Sequence, residues 1–131
     1  MKMILITWLF AAFAAPTAPA TASDDINAIG RAIGSGDVAA LLQHVDGELE
    51  LSILDDEDVY SPTEAANRLK TFFGQFAPSG FNQVHQGSSK ADDAEYVIGN
   101  LVTAKGSFRV YIYLAKRGDR AVLQELRFDR E

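Results

Sequence analysis

The sequence predicts a single α+β domain in which an antiparallel sheet packs on helices from the first half of the chain. Three observations support this class. The first half carries helical patterns with capping residues, residues 81–128 carry four runs typical of strands, and short polar turns separate those runs. Because the strands follow the helices instead of alternating with them, the pattern favours segregated layers over parallel βαβ units.

The first 22 residues have the pattern of a secretory signal peptide. Lys2 precedes an apolar run over residues 4–15, and small residues then lead to Ala20-Thr21-Ala22, an A-x-A cleavage site. The apolar run is shorter than the roughly 20 residues that span a bilayer, so we expect no stable membrane anchor after processing. The mature protein is predicted to be one domain, residues 23–131, exported to the periplasm or secreted.

Charge and composition disfavour several classes of function. The 131 residues carry a net charge of −6, and removal of Lys2 leaves 11 basic against 18 acidic residues, a net charge of −7. An acidic surface repels phosphate backbones, so nucleic acid is not an expected partner. The chain has no cysteine and only two histidines, without a zinc-binding spacing, so we predict neither a disulfide nor a metal site nor a cofactor.

Two helices are predicted at the start of the mature chain. Ser23 or Asp24 can cap the first, and isoleucines at helical spacing give it one apolar face until Gly34–Asp37 ends it. Asp37 can then cap a second, short helix whose apolar face ends at Val45. Residues 48–54 alternate polar and apolar side chains, which predicts a strand.

The third helix has the strongest local signal. Residues 55–58, DDED, lack the glycine and glutamate spacing of a calcium loop, so we expect a solvated acidic loop. Ser61 and Glu64 then form a capping-box pattern around Pro62 at the first helical position. Phe72, Phe73 and other apolar residues follow on one face, and Pro78 with Gly80 ends the helix.

Four strands are predicted after this helix, at residues 81–86, 95–104, 107–115 and 121–128. A two-residue turn at Lys105-Gly106 and a three-residue loop at residues 117–119 set the expected register. In this register Gln124 points into the core, where a buried polar group needs a partner. The same register places Tyr111 opposite Glu125.

The stretch HQGSSK, residues 85–90, groups a histidine, serines and a lysine, but it lacks the spacing of a phosphate-binding loop or of a nucleophile elbow. His85 and Ser89 would share a strand face yet lie about 13 Å apart. We therefore interpret it as the end of a strand, with Gly87 and the serines forming a turn.

The face opposite the core is predicted to be a homodimer interface. Tyrosine and arginine, which are enriched at interfaces, dominate it. In the expected register Arg109 lies opposite Arg127, an unfavourable pair unless a carboxylate such as Glu125 of a second subunit reaches it. The alternative is that helix or tail residues of the same chain cover this face. The candidate interface residues are Tyr96, Asn100, Arg109, Tyr111, Tyr113, Glu125 and Arg127.

The mature chain resembles a family of small exported bacterial proteins, domain of unknown function 4783. The resemblance lies in HQGSSK, YVIGNLVTAKGSFRVYIYLAK, LQELRF and the helix SPTEAANRLKTFFGQF. It implies a nuclear-transport-factor-2-like fold, a curved sheet wrapped around helices to form a cone. The acidic turn at residues 91–93 departs from the Gly-rich loop that we would expect there. The family brings no assigned activity.

Two functions stay open at this point. The first is a non-enzymatic binding or assembly module that works outside the cytoplasm, with a small-molecule ligand as an open option. The alternative is an isomerase or dehydratase type of enzyme, which the cone fold implies by analogy. Tyr60, His85 and Gln124 are the candidates for the pocket, and we assign no catalytic residue. Since no carboxylate falls on a core-facing strand position, carboxylate-based proton transfer is disfavoured.

Overall fold

The structure, a computed structural model, describes residues 21–131. The predicted signal peptide therefore lies outside the described residues, except for Thr21 and Ala22. Three helices and six strands follow one another along this part of the chain: α1 Ala22–Ser35, α2 Val38–Leu42, β1 Leu49–Ile53, β2 Asp56–Tyr60, α3 Pro62–Gln75, β3 Pro78–Ser89, β4 Ala94–Thr103, β5 Gly106–Arg117 and β6 Arg120–Arg130.

The predicted α+β class is confirmed, and the sheet is mixed. Its strand order is β2-β1-β6-β5-β4-β3. Neighbouring strands run antiparallel except β1 and β6, which are parallel, with Leu51 opposite Leu126. The expected antiparallel arrangement does not hold at this one pair. β1 and β6 are far apart in the chain, so no hairpin turn forces them to run in opposite directions.

The helices begin where capping side chains satisfy their first N–H groups. Thr21 caps α1 in a full capping box with Asp24, so the helix begins slightly earlier than predicted. Asp37 caps α2 as expected. Ser61 caps α3 by accepting from the Glu64 N–H at 3.4 Å, and Pro62 is the first helical residue. These bonds satisfy donors that helix geometry leaves without partners.

One hydrophobic core lies between the helices and one face of the sheet. Phe72 of α3 contacts four aromatic rings, those of Phe73, Phe76, Phe108 and Phe128, with centroids 4.7–5.5 Å apart. The alternating residues of β4 and β5 that were predicted to face the core are buried: Val97, Leu101, Thr103, Phe108, Val110, Ile112 and Leu114. We call the opposite side of the sheet the outer face.

The acidic segment after β1 forms a strand instead of the predicted loop. Leu54 adopts a positive φ of 56° and turns the chain, so that β2 pairs back on β1 with Leu49 opposite Tyr60. The Leu54 N–H donates to the Phe128 carbonyl at 2.9 Å, which holds this turn against β6. Three acidic residues thereby come to lie on an edge strand of the sheet: Asp56, Glu57 and Asp58.

The last hairpin departs from the predicted register. Arg117 pairs with Arg120, so the turn contains Gly118 and Asp119 alone, and Gly118 has the positive φ of 62° that the turn requires. A β-bulge then places Gln124 between the paired residues Leu123 and Glu125. Each departure changes which residues of β6 face the core.

Candidate functional site

The outer face of β4, β5 and β6 carries all seven residues that were predicted to form an interface. Tyr96 lies opposite Tyr113, and Ile98 lies opposite Tyr111. Tyr113 lies in turn opposite Glu125, and Tyr111 opposite Arg127. Tyr111 is 40 % exposed, and Tyr96, Ile98 and Tyr113 are partly exposed. We call these four residues the aromatic block.

Gly87 and His85 of the edge strand β3 both lie next to Tyr96 of β4. A side chain at Gly87 would collide with the Tyr96 ring and hydroxyl, so a larger residue there would force the Tyr96 ring to move. His85 Nε2 lies 3.2 Å from the Tyr96 hydroxyl. The stretch HQGSSK is thus mostly strand, and the interpretation of Gly87 as a turn residue is wrong. The turn begins at Lys90.

The arginines of the outer face have partners within the chain. Arg109 lies opposite Asp129 and not opposite Arg127, because the shorter turn and the bulge at Gln124 each shift the pairing by one residue. The Arg109 guanidinium donates to Asn100 at 3.1 Å and to Glu131 at 3.0 Å. Arg127 donates to Asp129 at 2.9 Å. The predicted pair of like charges does not form.

Glu125 is the charged group of this face that experiences the least favourable surroundings. Partial burial and the nearby carboxylates of Glu50 and Glu57 raise the pKa of Glu125, and Arg127 offsets part of this effect. Glu50 lies directly beside Glu125 in the parallel pair of β1 with β6. A cation or an arginine from outside would therefore be favourable next to Glu125.

The three pocket candidates lie apart from one another. Tyr60 is buried in the core, where its hydroxyl donates to the Asp56 carboxylate at 3.2 Å and the Arg68 guanidinium lies 5.1 Å from its ring centre. His85 is exposed on the outer face, beside Ile98. Gln124 is exposed at the bulge, so its predicted inward orientation is wrong, and Leu123 is fully buried instead.

A groove of about 380 Å³ lies between α3 and the turn that joins β1 to β2. Phe72 and Phe76 form its floor, and its rim is polar. Asp56 and Arg68 close one side with a 2.7 Å ion pair in which both side chains are about half exposed. None of the three predicted pocket residues, Tyr60, His85 and Gln124, lines this groove.

An ionic cluster around the buried carboxylate of Asp25 connects α1 to the start of β6 and was not predicted; the Arg120 side chain in it is 56 % exposed. Asp25 of α1 is 2 % exposed and accepts two bonds from the Arg120 guanidinium, at 2.8 and 2.9 Å, and one from the Ala121 N–H at 2.9 Å. His44 Nδ1 lies 3.7 Å from the same carboxylate. The Arg120 bonds lower the pKa of Asp25 although burial opposes them. The carboxylate is therefore a charged structural group that is already satisfied.

Two further findings concern the described residues. No helix of residues 21–131 is long and apolar enough to cross a membrane. In the same part of the chain, no three side chains of His, Asp or Glu lie together in an arrangement that could hold a metal ion.

A family model described as Domain of unknown function (DUF4783) matches residues 26–129. The chain is similar to a solved DUF4783 family protein from Bacteroides ovatus, with 27 % identity and a TM-score of 0.73 over 79 % of this chain and 93 % of that one. A DUF4783 family protein from Bacteroides uniformis gives 27 % identity and a TM-score of 0.73, over 80 % of this chain and 95 % of that one. No match was found among curated proteins.

More distant structures share the fold. An NTF2-like protein of unknown function from Cytophaga hutchinsonii superimposes with a TM-score of 0.60 at 8 % identity, over 87 % of this chain and 95 % of that one. At this identity the likeness shows the fold alone. Together with the helices packed on a six-stranded sheet, it shows a nuclear-transport-factor-2-like fold, as the sequence resemblance implied.

Proposed function

The chain belongs to the family described as domain of unknown function DUF4783, and we propose that it is an exported, non-enzymatic assembly module that forms a homodimer through the outer face of its sheet. The family has no described activity, so the proposal rests on the surface that the fold presents. The aromatic block on this surface is the observation that carries it.

The aromatic block has the composition of an interface centre. Three tyrosines and an isoleucine occupy four adjacent positions on two paired strands, at the middle of a face that none of the described helices covers. A sheet face in contact with water more commonly carries threonine, lysine and glutamate at such positions. Tyrosine combines a large apolar area with a polar end, which suits a surface that is exposed in the monomer and buried in the assembly.

Charges around the aromatic block favour a second copy as the occupant. Glu125 lies at one side of the block among acidic neighbours, whereas Arg127 and Arg109 lie toward the other end of the same strands. In a two-fold dimer each subunit presents the same surface to the other, so an arginine of one subunit can approach Glu125 of its partner. Such a contact would offset the repulsion that Glu125 experiences from Glu50 and Glu57.

The buried polar groups favour assembly over catalysis. An acid–base enzyme of this fold needs a titratable group that is aimed into a pocket and available for proton transfer. Asp25 is bound by Arg120 and by the backbone, and His85 lies on the outer face. Within the described residues, no groove brings His85 and a carboxylate together.

Export is the part of the proposal that the N-terminal pattern supports. Processing after Ala22 would leave Ser23 as the first residue and would remove Trp8, the single tryptophan. The intact mass of the protein from its native host should correspond to residues 23–131, and its emission spectrum should show tyrosine without tryptophan. A mass that still includes residues 1–22 would contradict export by this route.

Light scattering on the mature protein and on Tyr111→Glu tests the dimer. We expect wild type to have the mass of two chains at micromolar concentration, and the variant to have the mass of one, because a buried carboxylate at the centre of an interface is costly. Ala39→Glu is the matched control, since Ala39 is an exposed apolar residue of α2, and the helices lie on the side of the sheet opposite to the aromatic block.

The control variant should keep the mass of two chains. A monomeric wild type, or a dimer that survives Tyr111→Glu as well as it survives Ala39→Glu, would remove the aromatic block as the interface. Circular dichroism of all three proteins checks that each is folded.

A further inference from the structure

The two edge strands of the sheet, β2 and β3, differ in how well they are protected against pairing with a strand of another chain. The edge strand β2 has five residues, and three of them are acidic, so that a second acidic strand would be repelled. The other edge strand, β3, has twelve residues and no Asp, Glu, Lys or Arg. Charges, short length, proline and bulges are the usual means by which proteins prevent pairing at a sheet edge. β3 begins with Pro78 and has bulges before Gly80 and after Gln83, but residues 80–83 between them have none of these protections.

The first half of β3 also forms one wall of a groove, with α1 as the other wall. The groove has a volume of about 390 Å³. Gly30 and Gly34 face β3, where an added Cβ at Gly34 would lie 3.1 Å from the Phe81 backbone nitrogen, so their small size lets the helix approach the strand closely. Ile26 and Phe81 contribute apolar surface to the lining, and Gln83 lines it from the strand.

The charge in this groove is positive although the whole chain is acidic. Arg31 lines it from α1 together with Asn27, and both side chains are exposed. Within residues 21–131, Arg31 is not part of an ion pair. A guanidinium beside amide groups offers several donors to a carboxylate. The groove therefore suits an anionic group attached to a chain that can pair with β3.

We propose that the groove between α1 and β3 binds an extended peptide segment of another protein, which adds a strand to the open edge of β3 and places a carboxylate against Arg31. Backbone hydrogen bonds to residues 80–83 would supply the alignment, since an edge strand directs alternate N–H and C=O groups away from its neighbour. The bulges between Pro78 and Gly80 and between Gln83 and His85 limit the pairing to these four residues.

A peptide from another protein fits this groove better than a second copy of this chain. Two β3 strands paired about a two-fold axis would bring two Arg31 guanidinium groups to the same junction and no carboxylate, because β3 itself carries none. An acidic or C-terminal carboxylate from a different chain satisfies the charge. This surface is separate from the outer face, so the proposal does not depend on the dimer.

The test is nuclear magnetic resonance titration of the isotope-labelled protein with three synthetic peptides. The first probe is acetyl-Thr-Val-Glu-Val-Thr-amide, the second has glutamine in place of glutamate, and the third has the three central amides of the first N-methylated. We expect saturable shifts at Phe81 and Gln83 with the first probe, binding about tenfold weaker with the second, and none with the third, because backbone donors are needed for strand addition.

Two variants and a matched control locate the contact. Arg31→Gln should weaken binding of the glutamate probe about tenfold while changing that of the glutamine probe little. Gln83→Glu should also weaken the glutamate probe, because it adds a negative charge to the edge strand. Arg117→Gln removes an exposed arginine at the far turn between β5 and β6 and should bind as wild type does.

Three results would overturn the proposal. The first is the absence of saturable shifts with the glutamate probe. The second is equal binding of the N-methylated probe, which would show that no strand is added. The third is equal loss of affinity in Arg31→Gln and Arg117→Gln, which would show a general charge effect. Light scattering of Arg31→Gln distinguishes these outcomes from a loss of the dimer.

Discussion

At the scale of single residues, the Asp25 cluster shows what a sequence pattern cannot reveal. Asp25 looks like an ordinary acidic residue in the first turn of a helix, where negative charge is favourable. Its partner Arg120 is 95 positions away along the chain, so no local spacing connects them. The bond becomes visible once α1 and β6 are packed side by side. The sequence does not single out Arg31 either, because its position in the groove depends on β3 lying beside α1.

Replacement of Asp25 by alanine should destabilise the domain by about 1–3 kcal/mol, because the change leaves the Ala121 N–H buried without its acceptor and removes two bonds from Arg120. The matched control is Asp46→Ala, which removes an exposed carboxylate from the segment before β1 and should change stability by less than about 0.5 kcal/mol. Urea denaturation at neutral pH measures both. Equal losses in the two variants would contradict a structural role for the buried cluster.

The same cluster should make the domain less stable in acid. Burial lowers the pKa of His44 below its ordinary value of 6.5, with Arg120 also lowering it and Asp25 opposing them. The unfolded chain therefore takes up a proton that the folded protein does not, so stability is complete above about pH 6.5 and falls as the pH drops below it. The lowered pKa of Asp25 acts in the same direction at lower pH, beginning near 3.8.

His44→Gln should flatten this dependence below about pH 6.5, because the group that titrates there is removed. Thermal unfolding across this interval measures it. A variant whose melting temperature falls with pH as steeply as that of wild type would show that His44 does not carry the effect.

At the scale of elements, sequence reasoning succeeded where local chemistry decides the structure. Ser61 and Pro62 begin α3 where the sequence predicted, because a cap and a fixed φ act within a few residues. The alternation along β4 and β5 correctly identified the face that packs on the core. These signals are strong because each depends on contacts between near neighbours or on one buried side of a strand.

The register of paired strands, and whether a segment forms a strand at all, depend on contacts between residues far apart in the chain. The sequence predicted these two features less well. The orientation of Gln124 could not be predicted, because the shorter turn reversed the faces of the residues before it and the bulge lies at Gln124 itself. The sequence predicts a loop at β2, because acidic side chains disfavour strands. The strand forms because the turn at Leu54 is held by a hydrogen bond to Phe128 of β6. Gly87 is explained by the ring of Tyr96 on the neighbouring strand.

The third helix provides the test at this scale. Ser61→Ala should cost about 1 kcal/mol through the lost cap. Phe72→Ala should cost about 3–5 kcal/mol, because Phe72 is 3 % exposed and contacts four aromatic rings. Thr71→Ala, at an exposed neighbouring position, serves as the control and should change stability little. Equally small losses in all three variants, measured by denaturant unfolding, would mean that α3 is not packed on the sheet as described.

At the scale of the whole molecule, the two faces of the sheet differ in what covers them. The core face is covered by the helices, and its large side chains are completely buried. The outer face exposes the aromatic block together with Glu125 and the two arginines. The sequence predicted which residues of β4 and β5 share the outer face, because alternation along a strand does not depend on register. On β6 the faces depend on the turn and the bulge, so the predicted orientation of Gln124 and the expected pair of Arg109 with Arg127 are both wrong.

The central claim is that the aromatic block is buried between two copies of the folded chain, and oxidative footprinting across a dilution series tests it most directly. Tyr111 is 40 % exposed in the single chain, whereas Tyr60 is 6 % exposed in the core and serves as the internal control. We expect oxidation of Tyr111 to be slow at high protein concentration and to rise on dilution, while Tyr60 stays protected throughout. Equal oxidation of Tyr111 at every concentration, at the rate of an exposed tyrosine, would contradict the claim.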